Sequence, residues 1–501
     1  MKGTAAIAAI ATVLLLLTAG ARAHIGSPNV FFEGQAGPHS VRVTIRPPAT
    51  VPGAAQVEVR VAGEGADAVS LEAAPWEAGE AATATPTRAT PVAGDAGLFQ
   101  APLWMLARGS YRVRVAVSGP RGRGSVFVPL HSAAIAPPAM PLALGAALAL
   151  AGGALFAGAV AIARAAGRQA GVAVALLCTL AVAGGALRWR AMDRNFRDRA
   201  LAKPVPVEAR LFTAGALRLL RIVPSAGSTE PGWNTLVTDH GKLMHLFLCR
   251  EPDVAAFAHL HPVRRDAAAF ETVLPALPAG TYQLYGEITH DDGLSQTLVS
   301  RFHLPASPTA TPPPIAAWRI ENDVWCQTPA LIGDQAPQPV ALDADDSWHL
   351  GAPPPPGDES RPLLCALADG ATMLFVNAGH LAADRETSLR FQVVTLAGRR
   401  ATLQSYMGMA GHAVVRRSDG AVFTHLHPAG SISMAAQQML AQRGLPTDAA
   451  PAPMPSVEAD EISFPYAFPR PGDYRIWMQV RTGGRIQTGV FDVRVSPAAP
   501  R

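Results

Sequence analysis

Residues 243–262, LMHLFLCREPDVAAFAHLHP, and residues 411–428, GHAVVRRSDGAVFTHLHP, are two copies of one pattern. Each reads as a strand, a short acidic turn and a second strand. A histidine opens the first strand (His245, His412), and His-Leu-His-Pro closes the second (His259 and His261, His425 and His427). Side chains at i and i+2 of a strand share a face, and the earlier His stands beside them on the paired strand. Three imidazoles can therefore converge in each copy, which is a donor set for Cu or Zn.

Outward from this pattern the likeness continues. Residues 274–304, LPALPAGTYQLYGEITHDDGLSQTLVSRFHL, align with residues 464–495, FPYAFPRPGDYRIWMQVRTGGRIQTGVFDVRV, through Gly280 and Gly472, Tyr282 and Tyr474, Tyr285 and Trp477. A whole supersecondary block is thus repeated. Upstream, short alternating runs at 41–45, 57–61, 111–117 and 125–128, separated by Gly and Pro, predict a further β-sandwich. The expected fold class is mainly β, with three immunoglobulin-like sandwiches at 24–136, 207–305 and 361–496. Between the last two, residues 306–360 form a Pro-rich linker whose Trp318, Trp325 and Trp348 are expected to pack on a sandwich. Residues 435–459 read as an insertion with a short helical start.

The N-terminus combines Lys2, an apolar run over 5–17 and Ala21-Arg22-Ala23, the pattern of a secretory signal peptide over 1–23. Two apolar runs at 142–163 and 171–187, joined by a loop holding Arg164 and Arg168, predict a transmembrane helical hairpin within 137–190. A basic juxtamembrane segment, 191–206, follows. A cleaved leader and a hairpin return the chain to its starting side, so all three sandwiches are expected in the periplasm of a bacterial inner-membrane protein. The two loop arginines agree with the positive-inside rule, whereas Arg188, Arg190, Arg194, Arg197 and Arg199 oppose it.

Lysine and arginine total 42 against 38 acidic residues, with no basic block bearing interleaved aromatics, so nucleic acid is not an expected partner. The four cysteines contain no CxxC, and Cys326 with Cys365 are the candidates for a disulfide in an oxidising compartment. No Gly-x-Ser-x-Gly, His-Glu-x-x-His or phosphate-binding loop is present. A three-His site with an open position suits a zinc hydrolase, but no carboxylate is fixed nearby as a base, and an enzyme is not expected.

The Gly-x-Tyr strand block that closes each copy resembles the small sandwiches of the YtkA-like and FixH-like families of bacterial envelope proteins. The AHIGSPNVFFEG start, the hairpin and the YMGMAGHAVV…HLHPAG segment together resemble a widespread type of membrane protein. The resemblance implies an envelope location and, through the link of FixH-like proteins to cation pumping and haem-copper oxidase maturation, copper handling. Copper transporters or oxidase-assembly proteins are the partners it implies.

In the third unit Met407 and Met409 precede His412, and Met434 follows His427. Thioethers favour Cu(I), so copper is the expected ion and zinc the second choice. In the second unit Met244 stands alone and His290 is an extra candidate ligand. Cleavage after Ala23 leaves His24 with a free amine and an imidazole that can chelate Cu(II), as in small copper-binding sandwiches of the CopC type; His131 or His39 would complete it. The expected function is a membrane-anchored periplasmic copper-binding protein that stores, senses or delivers the ion. The competing expectation is a structural or interaction module, in which methionines fill the cores and the histidines cap strand ends.

Overall fold

The computed structural model describes residues 29–63, 66–78, 85–133, 142–199, 204–214, 217–226, 232–266, 268–306, 342–351, 362–379, 381–443 and 461–498. The proposed signal peptide, His24, Cys326, Trp318 and Trp325 lie outside them. The described chain is mainly β, built from several largely antiparallel sheets.

Residues 30–132 form a five-stranded and a four-stranded sheet around one valine-rich core. Strand Gly53–Val61 illustrates why: Val57, Val59 and Val61 turn inward, while Gln56, Glu58 and Arg60 reach solvent. This period of two buries one face of each strand.

Helices Leu142–Ala165 and Arg168–Arg199 follow. Gly167, at φ 88°, makes the turn between them, and they approach so closely that a Cβ on Gly171 would lie 2.2 Å from Ala163 Cβ. Leu150, Phe156, Leu177 and Leu187 point outward, each at least 65% exposed. Among the described residues the stretch long and apolar enough to cross a membrane is Gln169–Ala191, in the second helix; the first contributes the shorter apolar stretch Leu150–Ala165. The second helix continues to Arg199 and so takes in part of the basic juxtamembrane segment.

In the second unit, strands Ala256–Leu260, His245–Glu251, Gly280–His290 and Ser295–Leu304 lie side by side in that order. In the third, Phe423–Leu426, His412–Arg417, Gly472–Thr482 and Arg485–Val495 repeat the order. In the third unit this sheet covers a separate four-stranded one across an apolar core; in the second the four strands belong to one ten-stranded sheet that continues through Val205–Ala214 and encloses its own core. Strand Ser347–Leu350, including Trp348, adds to the edge at Ala256–Leu260, so this part of the linker does pack on a sandwich.

A local device recurs in all three units. Gly109, Gly280 and Gly472 have φ of 139°, 148° and 135°, open to glycine alone, and each precedes a tyrosine by two residues. Tyr111, Tyr282 and Tyr474 donate their hydroxyl protons to the carbonyls of Ala107, Pro278 and Arg470, at 3.2, 2.8 and 2.7 Å. Such a corner tyrosine is a feature of immunoglobulin-like sandwiches, and the copy in the first unit was missed in the sequence.

The second and third units meet through the outer faces of their His-bearing sheets. Tyr285 stacks on Phe423 (3.8 Å between centroids, 9°) and Trp477 on Phe257 (4.5 Å, 13°). Phe257 and Phe423 hold equivalent positions, as do Tyr285 and Trp477, so the two stacks are related by a pseudo-two-fold axis. Phe247, Cys249, Val254, Val414 and Val490 complete this interface core. The first unit closes against it: Ser431 N–H donates to Phe31 O (3.0 Å) and Glu33 N–H to Ala429 O (2.8 Å). A Cβ on Gly430 would lie 2.0 Å from Phe31 O, which restricts that position to glycine. Helix Met434–Gln442, the start of the expected insertion, packs Ala436 and Leu440 on Trp76 and Phe127.

Cys365 is a free, buried thiol that accepts a hydrogen bond from Val490 N–H at 3.3 Å. The disulfide expected of it therefore has no counterpart among the described residues.

Candidate metal centre

Alternation along the two-fold-related strands sets up the site. Leu246 and Leu248 point into the core of the second unit, leaving His245, Phe247 and Cys249 on the outer face. Ala258 and Leu260 likewise face that core, leaving Phe257, His259 and His261 outside. The third unit does the same with His412, Val414, Phe423, His425 and His427. Because the outer faces are pressed together, all six imidazoles are at most 5% exposed.

His245, His259 and His261 form one trio, and His412, His425 and His427 a second; within each, one nitrogen per ring lies within 4.8 Å of the others. His245 Nδ1 and His259 Nε2 are 3.2 Å apart, and His412 Nδ1 and His425 Nε2 3.1 Å. Two nitrogens sharing a tetrahedral ion at metal-to-nitrogen distances near 2.05 Å would stand about 3.3 Å apart.

The opposite nitrogen of every ring faces an oxygen acceptor. In the first trio these are Asp239 O for His245 Nε2 (3.1 Å), Gln479 Oε1 for His259 Nδ1 (2.9 Å) and Asp346 Oδ1 for His261 Nδ1 (3.0 Å). In the second they are Tyr406 O for His412 Nε2 (3.2 Å), Glu287 Oε2 for His425 Nδ1 (3.1 Å) and Ile432 O for His427 Nδ1 (3.3 Å). Three of these acceptors are backbone carbonyls, which cannot donate, so His245, His412 and His427 carry their protons on the outer nitrogens. Their inner nitrogens then present lone pairs to the other rings; His261 Nε2 and His427 Nε2 are buried without any hydrogen-bond partner. Buried polar atoms are ordinarily paired, and an outer acceptor fixing each tautomer is how proteins prepare histidines for a metal.

Two of these supports cross the interface. Gln479 of the third unit holds His259 of the second, and Glu287 of the second holds His425 of the third. Glu287 pairs with His245 in its own sheet and Gln479 with His412, so the two positions are equivalent. The Gln479 amide nitrogen donates to Ser347, which leaves its oxygen to accept.

Burial holds His245, His259, His412, His425 and His427 neutral. Desolvation, with the neighbouring histidines adding to it, lowers the pKa of His245, His259, His412 and His425 well below the usual value, and desolvation brings His427 to about 4. Desolvation, reinforced by the Asp239 charge, raises the Glu287 carboxyl. A cavity of about 200 Å³ touches both trios through His245, His425 and His427, with Asp239 and Glu287 on its wall. That is below the roughly 300 Å³ of ordinary small-molecule pockets and suits an ion with its water.

The other expected ligands stand differently. Met244 is buried in the core of the second unit with its sulfur over Gly286, on the face opposite His245. Met434 packs against the first unit's core. His290 spends both nitrogens on side chains, Thr235 at 2.9 Å and Gln296 at 2.8 Å, and is a structural residue. Met407 and Met409 lie in the turn before His412; Met409 is fully buried and pairs through its backbone with Tyr406. His39, one proposed companion of His24, faces Gly122 O at 3.0 Å, and desolvation lowers the pKa of the other, His131, to about 4. Neither belongs to a metal-competent group among the described residues.

Sequence reasoning missed Glu287, Gln479, Asp346 and His240. Asp346 sits in the presumed linker, where 342–351 folds over the first trio and also takes Tyr406 O–H into Asp345 O at 3.1 Å. The His240 ring lies 4.9 Å from that of His427 and 5.3 Å from that of His412. The signal available was the apolar content of both faces of His245–Glu251, which a solvent-facing strand would not carry.

Residues 366–497 match a domain of unknown function, DUF8832. No curated protein matches the chain. Among solved structures it is similar to dimeric latent PorU from Porphyromonas gingivalis, at 10% identity and TM-score 0.14, over 94% of this chain and 34% of that one. It is similar also to methylamine-reacted alpha-2-macroglobulin of Salmonella, at 9% identity and TM-score 0.18, over 95% and 24%. The chain thus spans about a third or less of these proteins, and at these TM-scores the likeness carries no argument.

Proposed function

We propose that this chain is a membrane-anchored protein of the bacterial inner membrane whose three immunoglobulin-like sandwiches stand in the periplasm. It binds copper in paired three-histidine sites between the second and third sandwiches, to store, sense or deliver the ion. Its partners are the membrane and the copper transporters or oxidase-assembly proteins that supply or receive copper. One observation carries this reading: six buried imidazoles converge as two trios, each ring with its outer nitrogen against an oxygen and its inner nitrogen toward the other rings of its trio. A structural module with capping histidines has no use for buried nitrogens that face only one another. Neutral imidazole accepts Cu(I), Cu(II) or Zn(II), and zinc is the second choice of ion. The outer hydrogen-bonding atoms are spent on orienting ligands, so the reading is of binding and not of turnover.

The test is metal analysis of the full chain purified in detergent and equilibrated separately with Cu(I) under reducing conditions and with Cu(II) or Zn(II) under oxidising ones. The expected result is two ions per chain, retained against a weak chelator. Absence of copper and zinc under all conditions would return the chain to the structural class.

A further inference from the structure

We propose that each trio takes its fourth ligand from the opposite sandwich, His240 for the second trio and Met407 for the first, which makes the two metal positions chemically unlike. This rests on the metal-binding reading above.

The turn preceding each trio has the same form. Asp239 and Lys242 exchange backbone hydrogen bonds of 2.8 and 3.0 Å, and Tyr406 and Met409 exchange bonds of 2.8 and 3.1 Å. The two central residues of each have positive φ: His240 54° and Gly241 79°, Met407 48° and Gly408 80°. This is the type I′ turn, whose first central position favours Asn, Asp or Gly. Histidine and methionine there occupy a left-handed conformation at a steric cost that such residues seldom bear without a functional reason. Both are metal ligands by type.

The position of His240 shows which trio it serves. Its ring is 4.9 Å from His427 and 5.3 Å from His412, but 6.2 Å from His245 of its own sandwich. Those separations match the ring spacings inside the second trio, 4.5 Å for His425–His427 and 5.2 Å for His412–His427. Its side chain is 4% exposed, and Nε2 has no hydrogen-bond partner, although Asp239 Oδ1 lies 3.4 Å away in an ion-pair contact. The pseudo-two-fold that exchanges Glu287 with Gln479 and Phe257 with Phe423 also exchanges residue 240 with residue 407. By that symmetry the Met407 side chain would stand at the first trio as His240 stands at the second. The second trio then offers four nitrogens, a closed set for Zn(II) or Cu(II), and the first offers three nitrogens and a thioether, a softer set for Cu(I).

The experiment isolates each position in the full chain. His261→Ala leaves the second trio intact, and His427→Ala leaves the first. In the His261→Ala background, His240→Asn should weaken Zn(II) binding by about tenfold or more, and Met407→Leu should leave it unchanged. In the His427→Ala background, Met407→Leu should weaken Cu(I) binding by about tenfold or more, and His240→Asn should have no effect. Asn tolerates the left-handed turn and Leu keeps the volume of Met, so both variants are expected to fold; thermal melting of each apo-protein verifies it. Met407→Leu acting in the His261→Ala background would put that ligand on its own trio and overturn the crossing. Two ions bound by the wild type with both variants silent would overturn it as well, while leaving the metal-binding reading in place. A wild type that binds no ion would instead remove that reading and this proposal with it.

Discussion

The two trios share a backbone and differ in what stands behind it. The first is held by a carbonyl, the neutral amide of Gln479 and the carboxylate of Asp346; the second by two carbonyls and the carboxyl of Glu287. Each therefore has one acid, but attached to a different histidine and drawn from a different part of the chain. The positions before the trios differ too, Lys242 standing where the third unit has Met409. Lys242 is paired with Asp343 and, at 3.3 Å, with Asp345 of the covering segment. The direction of each imidazole is thus conserved between the copies by any available acceptor, whereas the charge around it has been free to move. Orientation, and not charge, is the strict requirement of the arrangement.

The comparison can be broken most completely by removing one trio at a time. His259→Ala and His425→Ala should each abolish one of two bound ions, a loss exceeding the roughly 100-fold that an outer hydrogen-bond partner is worth. Metal titration monitored by competition with a chromophoric chelator reads both. If either variant lost both ions together, the trios would be one site and not two.

Next in size is the interface. Trp477→Ala empties the stack on Phe257 and should destabilise the protein by about 3–5 kcal/mol, seen in chemical denaturation. Its equivalent Tyr285→Ala should cost less, because the ring removed is smaller, although Arg416 also loses the hydroxyl it donates to at 3.3 Å. A larger effect at Tyr285 would mean that this polar contact outweighs the stack.

Acid should act on the apo-protein through the same buried rings. The folded pKa values of His245, His259, His412, His425 and His427 lie below the unfolded value near 6.5, so below that pH the unfolded chain takes up protons that the folded one refuses. Stability is therefore complete above pH 6.5 and declines as pH falls from there toward 4. His427, brought to about 4 by burial, contributes roughly 3 kcal/mol to that decline. Thermal melting between pH 7 and 4 measures it, and bound metal should steepen the loss, since protons and metal compete for the same nitrogens. A flat profile in the apo-protein would contradict the buried, neutral state.

The smallest effect should come from exchanging the two cross-interface supports. Glu287→Gln and Gln479→Glu keep an acceptor behind His425 and His259, so affinity should fall by less than about tenfold. Replacement of either by Leu removes the acceptor and should cost about 10–100-fold. Isothermal titration of the four variants separates orientation from charge; equal losses for Gln and Leu at position 287 would show that charge matters more than the geometry implies.

The strands bearing the histidines, and their convergence within each unit, were legible because i, i+2 alternation leaves His259 with His261 and His425 with His427 no other relation. The duplication was legible in Gly280 and Gly472 for the same local reason. The meeting of the two sheets was not, since it depends on Phe257 finding Trp477 more than two hundred residues away. It had left a trace in Phe247 and Cys249, apolar at positions where a solvent-facing strand would be polar. Asp346 was hidden by the proline-rich surroundings that made its segment look like a spacer, and His240 by its place in a turn, where periodicity says nothing. The methionines misled in part: Met244 and Met434 answered to packing, which is the commoner use of that side chain.

The pseudo-two-fold interface has a consequence for descent. A single sandwich of this type meeting a second copy of itself through an isologous contact would assemble both trios, the crossed supports and the two aromatic stacks with one set of residues serving twice. In such a homodimer every substitution appears on both sides of the axis. Fusion of the two copies into one chain releases that constraint, so that Glu287 and Gln479, or His240 and Met407, become independent letters. The segment 342–351, which covers only one of the trios, is a part that a symmetric ancestor would have had to carry twice or not at all.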